Sequence, residues 1–280
     1  MNFTDIRYAT EDSVATITFD RPDVMNAARS ETHGELLKAL DAADMDNSVR
    51  AVIVTGEGRA FCAGTDISKG FQLPKNGDPA TGDDIPPDIG GITVLRLFRM
   101  RKPVIAAING AAAGFGATFT LAMDIRLASD AAKFAFPFTR RAICAESCSS
   151  WFLPRLVGIQ TAQDWMLTGR TFPAAEALAR GLVHEMLPQN DLLGRAREIA
   201  LDIARNCAPA SVAINRQLLW RMLGADHPRM AHALESRAVA ATLAADDIQE
   251  GVASFKEKRT PRFTGAVSDA DYMKTWWPDL

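Results

Sequence analysis

Two short glycine-bearing segments hold the residues of greatest chemical interest, FCAGTDI at 61–67 and NGAAAGFGA at 109–117. Each follows an apolar run that reads as a strand, and the second leads into a run that reads as a helix. A backbone N–H after a strand and another at a helix N-terminus can converge on one oxygen atom. Gly64 and Gly114 lack the Cβ that would hold a carbonyl away, and the helix dipole adds partial positive charge. Each donor of such an oxyanion hole lowers a barrier by about 3 kcal/mol. The same glycines could serve tight packing alone, and Gly110, Gly114 and Gly116 also fit a GxxxGxG phosphate turn. Nicotinamide chemistry on that turn would need a Tyr-x-x-x-Lys pair, but Tyr8 and Tyr272 are followed at that spacing by Asp12 and Trp276. A GxSxG nucleophile elbow is absent as well.

These segments need a frame. Ala15, Ile17 and Phe19 alternate with Thr16 and Thr18, the period of a half-buried strand, and 8–11 precede it as a hairpin partner. Ser30 reads as the N-cap of a helix carrying Leu36, Leu37, Leu40 and Ala43, and the β-branched run 51–55 closes at Gly56. The layout then recurs: 103–108 predicts a buried strand, 115–123 a short helix, 124–128 and 133–136 two more strands. Ser149 and Ser150 read as helix caps. Beyond Trp151 the pattern is helical, over 192–207, 210–223 and 230–250, the last with Leu234, Ala238, Ala241, Ala245 and Ile248 as one stripe. Strands alternating with helices predict an α/β core over 1–200, followed by a helical region over 201–280. The Pro-, Gly- and Asp-rich stretch 74–91 is expected to be a mobile loop beside the first glycine segment.

The 280 residues are 48% apolar and 23% charged, with a formal net charge of −3. That is a globular composition, long enough to bury a core without disulfide or metal staples. Its 31 basic residues are scattered among 34 acidic ones, so neither nucleic acid nor an anionic membrane is the expected partner, and a small molecule is. The four cysteines contain no CxxC, and Cys144 and Cys148 lack the neighbouring histidine of a zinc site. They read as reduced, buried thiols, with no metal expected. The first residues carry Asp5, Glu11 and Asp12 and no apolar run, which is unlike a targeting peptide, so a cytoplasmic location is expected. The uncharged run 103–123 is long enough for a bilayer, yet Pro103 and Asn109-Gly110 divide it into a strand and a helix.

FCAGTDI, RPDVMNA at 21–27, KPVIAAINGAAAGFGATFTLAMDIRLAS at 102–129 and EGVASFKEKRTPRF at 250–263 together resemble the crotonase (enoyl-CoA hydratase/isomerase) family over nearly the whole chain. The resemblance implies an α/β spiral of repeated ββα units with a C-terminal helical region used for trimerisation. It implies a homotrimer or a dimer of trimers, and coenzyme A thioesters as substrates with no metal or redox cofactor. On the matching positions the oxyanion donors are the main-chain N–H groups of Thr65 and Phe115. Phe115 stands where a glycine is usual, which narrows the acyl pocket and leaves the donor in place. Val24, Met25 and Ala27 with Ala63, Gly64, Asp66 and Ile67 would line the coenzyme, and Phe255 and Lys258 would reach it from the C-terminal region. Asp66 reads also as a turn cap, and Asp124 likewise.

Hydratases that the chain resembles use two glutamates, at positions that here hold Thr118 and Phe138. A carboxylate does occur in CAESCSSWFLPRLVG, where Glu146 matches the acidic position of the family's isomerases, so Glu146 is the expected acid/base. Gly114, Thr118, Phe138 and Trp151 would shape the acyl pocket, with Phe138, Trp151 and Phe152 desolvating Glu146. Arg140 and Arg141 would oppose that effect if they point inward, or could bind a substrate carboxylate. One base suffices for a double-bond shift through an enolate, whereas hydration needs a positioned water and an acid as well. The expected activity is therefore isomerisation of an enoyl-CoA. Hydration of a 2-enoyl-CoA is the alternative, and a non-catalytic acyl-CoA-binding protein the alternative outside catalysis. His33, His184, His227 and His232 read as structural, and Trp276 and Trp277 as residues of a subunit interface.

Overall fold

The computed structural model describes residues 2–68, 70 and 84–280. It begins with the expected hairpin, β1 (Ile6–Glu11) and β2 (Val14–Phe19), turned at Asp12 and Ser13 in the left-handed region. The helix α1 (Ser30–Met45) buries Leu36, Ala39, Leu40 and Ala43, and leads to β3 (Ala51–Gly56), parallel to β2. Its cap lies one residue before Ser30: the Arg29 N–H donates to the Thr32 hydroxyl at 3.0 Å. The chain continues through β4 (Ala60–Cys62), α2 (Ile89–Phe98), β5 (Val104–Ile108), β6 (Ala111–Ala113), α3 (Phe115–Thr118), β7 (Ile125–Ser129) and β8 (Lys133–Ala135). A long α4 (Ser149–Thr168), β9 (Thr171–Pro173), α5 (Ala174–Ala179), β10 (Glu185–Leu187) and α6 (Leu192–Asn206) complete the core. The helices α7 (Pro209–Met222), α8 (Pro228–Leu243) and α9 (Asp247–Glu257) follow.

The strands sort into two sheets, six-stranded in the order β1-β2-β3-β5-β7-β10 and four-stranded in the order β4-β6-β8-β9. Every pairing is parallel except β1 with β2 and β8 with β9. The continuous apolar runs of β3 and β5 follow from burial on both faces. Val52, Val54, Val104 and Ala106 join the main core, while Ala51, Ile53, Ile105 and Ala107 pack with Leu192, Ala196 and Ala200 of α6. Helix α6 crosses residue 200 while packed on the sheet, and α7 begins at Pro209.

Several expectations need correcting. The helix expected over 230–250 is two, because the Asp247 carboxylate accepts the amides of Thr264 at 3.0 Å and Gly265 at 3.2 Å and starts α9 afresh. Of the expected loop 74–91, residues 74–83 lie outside the described residues, and Ile89–Gly91 form the first turn of α2, capped by the Asp88 carboxylate. Only Cys62 is a fully buried thiol; Cys144 is exposed, and Cys148 and Cys207 are half-buried. Trp276 and Trp277, expected at a subunit interface, are half-buried and lie beneath the guanidinium groups of Arg237 and Arg221 of the same chain, a placement compatible with that expectation. Among the described residues no helix is long and apolar enough to cross a membrane, and the uncharged run 103–123 divides among β5, β6 and α3.

Asp124 turns out to be the joint between core and C-terminal helices. Its carboxylate accepts from Arg216 Nε at 2.8 Å, Trp220 Nε1 at 2.7 Å and the Val104 amide at 2.7 Å. Arg216, 4% exposed, also donates to the carbonyls of Leu97, Phe98 and Met100 at the end of α2. Removing one member of such a buried pair leaves a charge and several carbonyls without partners. Arg216→Met is expected to cost about 3–5 kcal/mol in urea unfolding, and a loss below about 1 kcal/mol would show that this joint does not hold the helical region to the core.

Candidate active site

A cavity of about 300 Å³ opens where the ends of β4 and β6 meet α3. One wall is Val24, Ala27, Ala63, Asp66 and Ile67; the other is Phe115, Pro137, Phe138, Arg141, Ile143 and Glu146, with Gly64, Thr65 and Gly114 between them.

The floor is built from main chain. Past β4, Ala28 pairs with Thr65 in an isolated parallel bridge: the Ala28 N–H donates to Gly64 O and the Asp66 N–H to Ala28 O, both at 2.8 Å. In that pattern the Thr65 N–H faces away from Ala28, and among the described residues it has no acceptor. Past β6, Gly114 donates to Ala135 O at 3.1 Å. Phe115 then opens α3 with an N–H that has no intrahelical acceptor. The two loops touch at their glycines. A Cβ on Gly64, whose φ is +105°, would lie 2.8 Å from Ala113 O and 3.7 Å from Gly114 Cα. Thus two N–H groups that have no acceptor among the described residues each follow a glycine at the point of contact, and both residues border one cavity.

Glu146 hangs over this floor, half-buried, just before two residues in the left-handed region, Ser147 and Cys148. The Thr118 hydroxyl donates to Glu146 Oε1 at 2.7 Å, and the Ser147 hydroxyl donates to Oε2. Burial raises the Glu146 carboxyl above its ordinary range; the Ser147 and Thr118 hydroxyls pull it back, and nearby Asp88 pushes it further up. The carboxylate has room because α2 offers a glycine to it: a Cβ on Gly90 would fall 2.5 Å from Oε2. Asp66, the other carboxylate on the cavity wall, is the opposite case. Hydrogen bonds from the Ser68 hydroxyl, the Ser68 amide and Arg21 Nη2, the last at 3.1 Å, hold it down to about 2.

The structure gathers Val24, Ala27, Ala63, Gly64, Thr65, Asp66, Ile67, Gly114, Phe115, Phe138 and Glu146 around this cavity. Asp66 is both turn cap and wall. Met25 supports the wall from behind, its carbonyl accepting the Ala63 N–H at 3.0 Å. Thr118 is fully buried beneath Glu146 instead of forming the pocket surface. Trp151 leaves the pocket because the first turn of α4 aims it at Phe98 of α2, and Phe152 goes with it toward Trp220. Phe255 is 84% exposed on α9 and Lys258 follows that helix in the left-handed region, so neither reaches the cavity in this chain. The Phe115 ring, 2% exposed, stacks on Phe119 and lies 4.3 Å from the His33 ring, so its bulk fills the core more than the pocket. His33 is held neutral, burial lowering it to about 4. Arg140 donates to Thr168 O at 2.7 Å, whereas Arg141 faces the cavity.

Five site residues carry no reading in the sequence: Ser68, Asp88, Gly90, Ile143 and Ser147. An Asp ahead of apolar residues spaced as Ile89, Ile92 and Leu95 is a helix start, and that signal was available for Asp88.

Residues 9–266 match the sequence family described as enoyl-CoA hydratase/isomerase. The chain is 42% identical over 259 residues to the enoyl-CoA hydratase ACTT3 of Alternaria alternata, covering 92% of this chain and 85% of that one. It is 32% identical over 262 residues to the 1,2-epoxyphenylacetyl-CoA isomerase of Escherichia coli strain K12, covering 91% and 96%. The crystal structure of an enoyl-CoA hydratase from Bacillus anthracis shares its fold with a TM-score of 0.86 at 31% identity, over 94% of this chain and 100% of that one. A family match over nearly the whole chain, relatives at 42% and 32% identity and a shared fold make one conclusion: the chain is an enzyme of the enoyl-CoA hydratase/isomerase family.

Proposed function

We propose that this enzyme shifts the double bond of a 3-enoyl-CoA into conjugation, with Glu146 as its single acid/base. The thioester oxygen sits on the Thr65 and Phe115 N–H groups, which acidify the α carbon. Glu146 removes a proton from C2, the charge spreads onto the oxygen, and the same carboxyl returns the proton at C4, giving the 2-enoyl-CoA. Val24, Ala27, Ala63 and Ile67 hold the coenzyme arm along the other wall. The observation that carries this reading is the contrast between the two carboxylates of the cavity: Asp66 is ion-paired and held down to about 2, while Glu146 is desolvated and raised. Environments that push two carboxyls apart assign their roles. Phe138 and Thr118 stand where a second carboxylate would be needed for hydration by two glutamates.

Hydration of a 2-enoyl-CoA is the second reading, favoured by the hydratase name of the 42% identical relative. We also infer assembly as a homotrimer or dimer of trimers, supported by the exposed Leu219, Met230, Val239, Leu243 and Phe255 on α7, α8 and α9, and a cytoplasmic location.

Incubation with a 3-enoyl-CoA should raise the absorbance of the conjugated thioester, and incubation with a 2-enoyl-CoA should leave it unchanged. The reverse pattern would establish hydration instead. Glu146→Gln should lower kcat/KM by about 10²–10⁴-fold. In the wild type kcat/KM should fall with pH through a value above the ordinary 4.5, since the base acts ionised. The sign for stability is opposite. A carboxyl raised on folding stabilises at low pH and loses that contribution as pH rises through its folded value, so Glu146→Gln should melt no lower than the wild type at pH 7–8. Gly90→Ala separates placement from folding. The helix gains up to about 1 kcal/mol of preference for Ala over Gly, yet the methyl displaces the Glu146 carboxylate, and kcat should fall about 10²-fold. Full activity in that variant would mean the carboxylate need not lie against α2. Light scattering should give the mass of three or six chains, and a monomer at micromolar concentration would remove the assembly inference.

A further inference from the structure

Thr118 has one hydroxyl proton and two acceptors. Its Oγ1 lies 2.7 Å from Glu146 Oε1 and 3.2 Å from the carbonyl oxygen of Phe115, one turn earlier in α3. The residue is fully buried, so no bulk water competes for either bond. The Phe115 carbonyl also accepts the Phe119 N–H, which leaves its second lone pair for Thr118.

We propose that Thr118 is a positioning residue whose proton moves between these acceptors in step with the base, resting on Glu146 while it is ionised and on the Phe115 carbonyl once Glu146 has taken a proton. The inference rests on Glu146 being the base. The step balances without any further reagent. As the C2–H bond breaks, the proton goes to Glu146 and the electron pair to the thioester enolate. The new carboxylic O–H then donates to Thr118 Oγ1, and the Thr118 O–H rotates about its C–O bond toward Phe115 O. Returning the proton to C4 reverses the rotation. Both protonation forms of the base are thereby hydrogen-bonded, as a buried carboxyl requires. The hydroxyl also links the state of the base to the residue whose N–H is the second oxyanion donor. A carboxylate at this position could not act so, because beside Glu146 it would be a second charge competing for the same proton.

The charged and titratable groups facing the pair are Asp88 at the start of α2, Cys148 after the base, Arg141 across the cavity, Cys62 of β4 and His33 of α1 against Phe115. Cys62 is pushed up to about 12 by burial and His33 down to about 4, which separates both from a raised glutamate in a titration.

The test compares Thr118→Val, which keeps the shape and loses the hydroxyl, with Thr118→Ser, which keeps the hydroxyl. Thr118→Val should lose about 10–100-fold in kcat, the worth of a hydrogen bond to a charged group, with KM within about twofold of wild type. Its acid limb should move to higher pH, and Thr118→Ser should restore both. Equal losses in the two variants, or a loss confined to KM, would reduce Thr118 to packing. Carbon NMR reads the switch without turnover. In the wild type and in Thr118→Ser the Phe115 carbonyl shift should titrate together with the Glu146 carboxyl, and in Thr118→Val it should stay flat. A Phe115 carbonyl that is flat in the wild type, or that titrates equally in Thr118→Val, overturns the switch. Full activity in Glu146→Gln would instead overturn the base, and the NMR comparison would still decide the switch.

Discussion

The site depends on how closely two stretches of main chain approach at Gly64 and Gly114. No side chain separates them, and the residue after each glycine, Thr65 or Phe115, borders the same cavity. Alanine at residue 64 would need a left-handed φ of +105° and a methyl 2.8 Å from the Ala113 carbonyl, so only glycine allows the approach. The neighbouring glycines serve the same end. A Cβ on Gly110 would collide with the Arg59 carbonyl and one on Gly116 with the Cys62 carbonyl. Gly110 and Gly116 of the GxxxGxG pattern are therefore accounted for by strand β6 and helix α3 lying against β4, and Gly114 by its left-handed φ of +50°. The pattern that resembles a phosphate turn is here the means of pressing one loop onto another.

Chemistry on that floor calls for one charge to be kept stable and another kept uneasy. Arg21 and the Ser68 amide fix Asp66 as a permanent anion in the wall. Glu146 has no cation among its determinants, only two hydroxyls, a repelling Asp88 and burial. An ionised, desolvated carboxylate opposes folding, and the two left-handed residues after it, Ser147 and Cys148, add backbone strain of the kind found at functional sites. The stabilisation that offsets these costs lies elsewhere, in the doubly covered sheet and in the Asp124 joint, whose residues do not line the cavity.

Much of this was legible in the residues. Strands β2, β3, β5 and β7 could be read because apolar period and β-branching agree with burial there, and the glycine segments because their place between strand and helix has few uses. The three-residue strands β4 and β6 at their starts are too short to show a period. Helix α2 was hidden by Gly90 and Gly91, which punctuate a sequence like a loop. Gly90 is glycine to make room for the Glu146 and Ser147 side chains and Gly91 to fit against the capping Asp88, so the local rule fails where the distant carboxylate overrides it. Trp151 misled because a residue near a catalytic position in sequence leaves the site once a helix begins between them. The break between α8 and α9 arises from contacts of Asp247 with Thr264 and Gly265, too far along the chain for any periodicity to show.

The exchange of a carboxylate for the Thr118 hydroxyl bears directly on which reaction the cavity suits. Two ionisable carboxyls in about 300 Å³ would raise one another's proton affinity and share a proton between them, a condition suited to delivering water to one carbon and a proton to the next. With Thr118 buried there and Phe138 closing the opposite position, a proton taken from the substrate has one carboxyl to occupy, Glu146, because Asp66 stays with Arg21. Under the proposed mechanism that proton returns to the same delocalised carbanion, at a carbon within reach of Glu146. On the proposed reading, in which Glu146 is the single acid/base, a cavity with one desolvated carboxyl suits moving a double bond better than adding water.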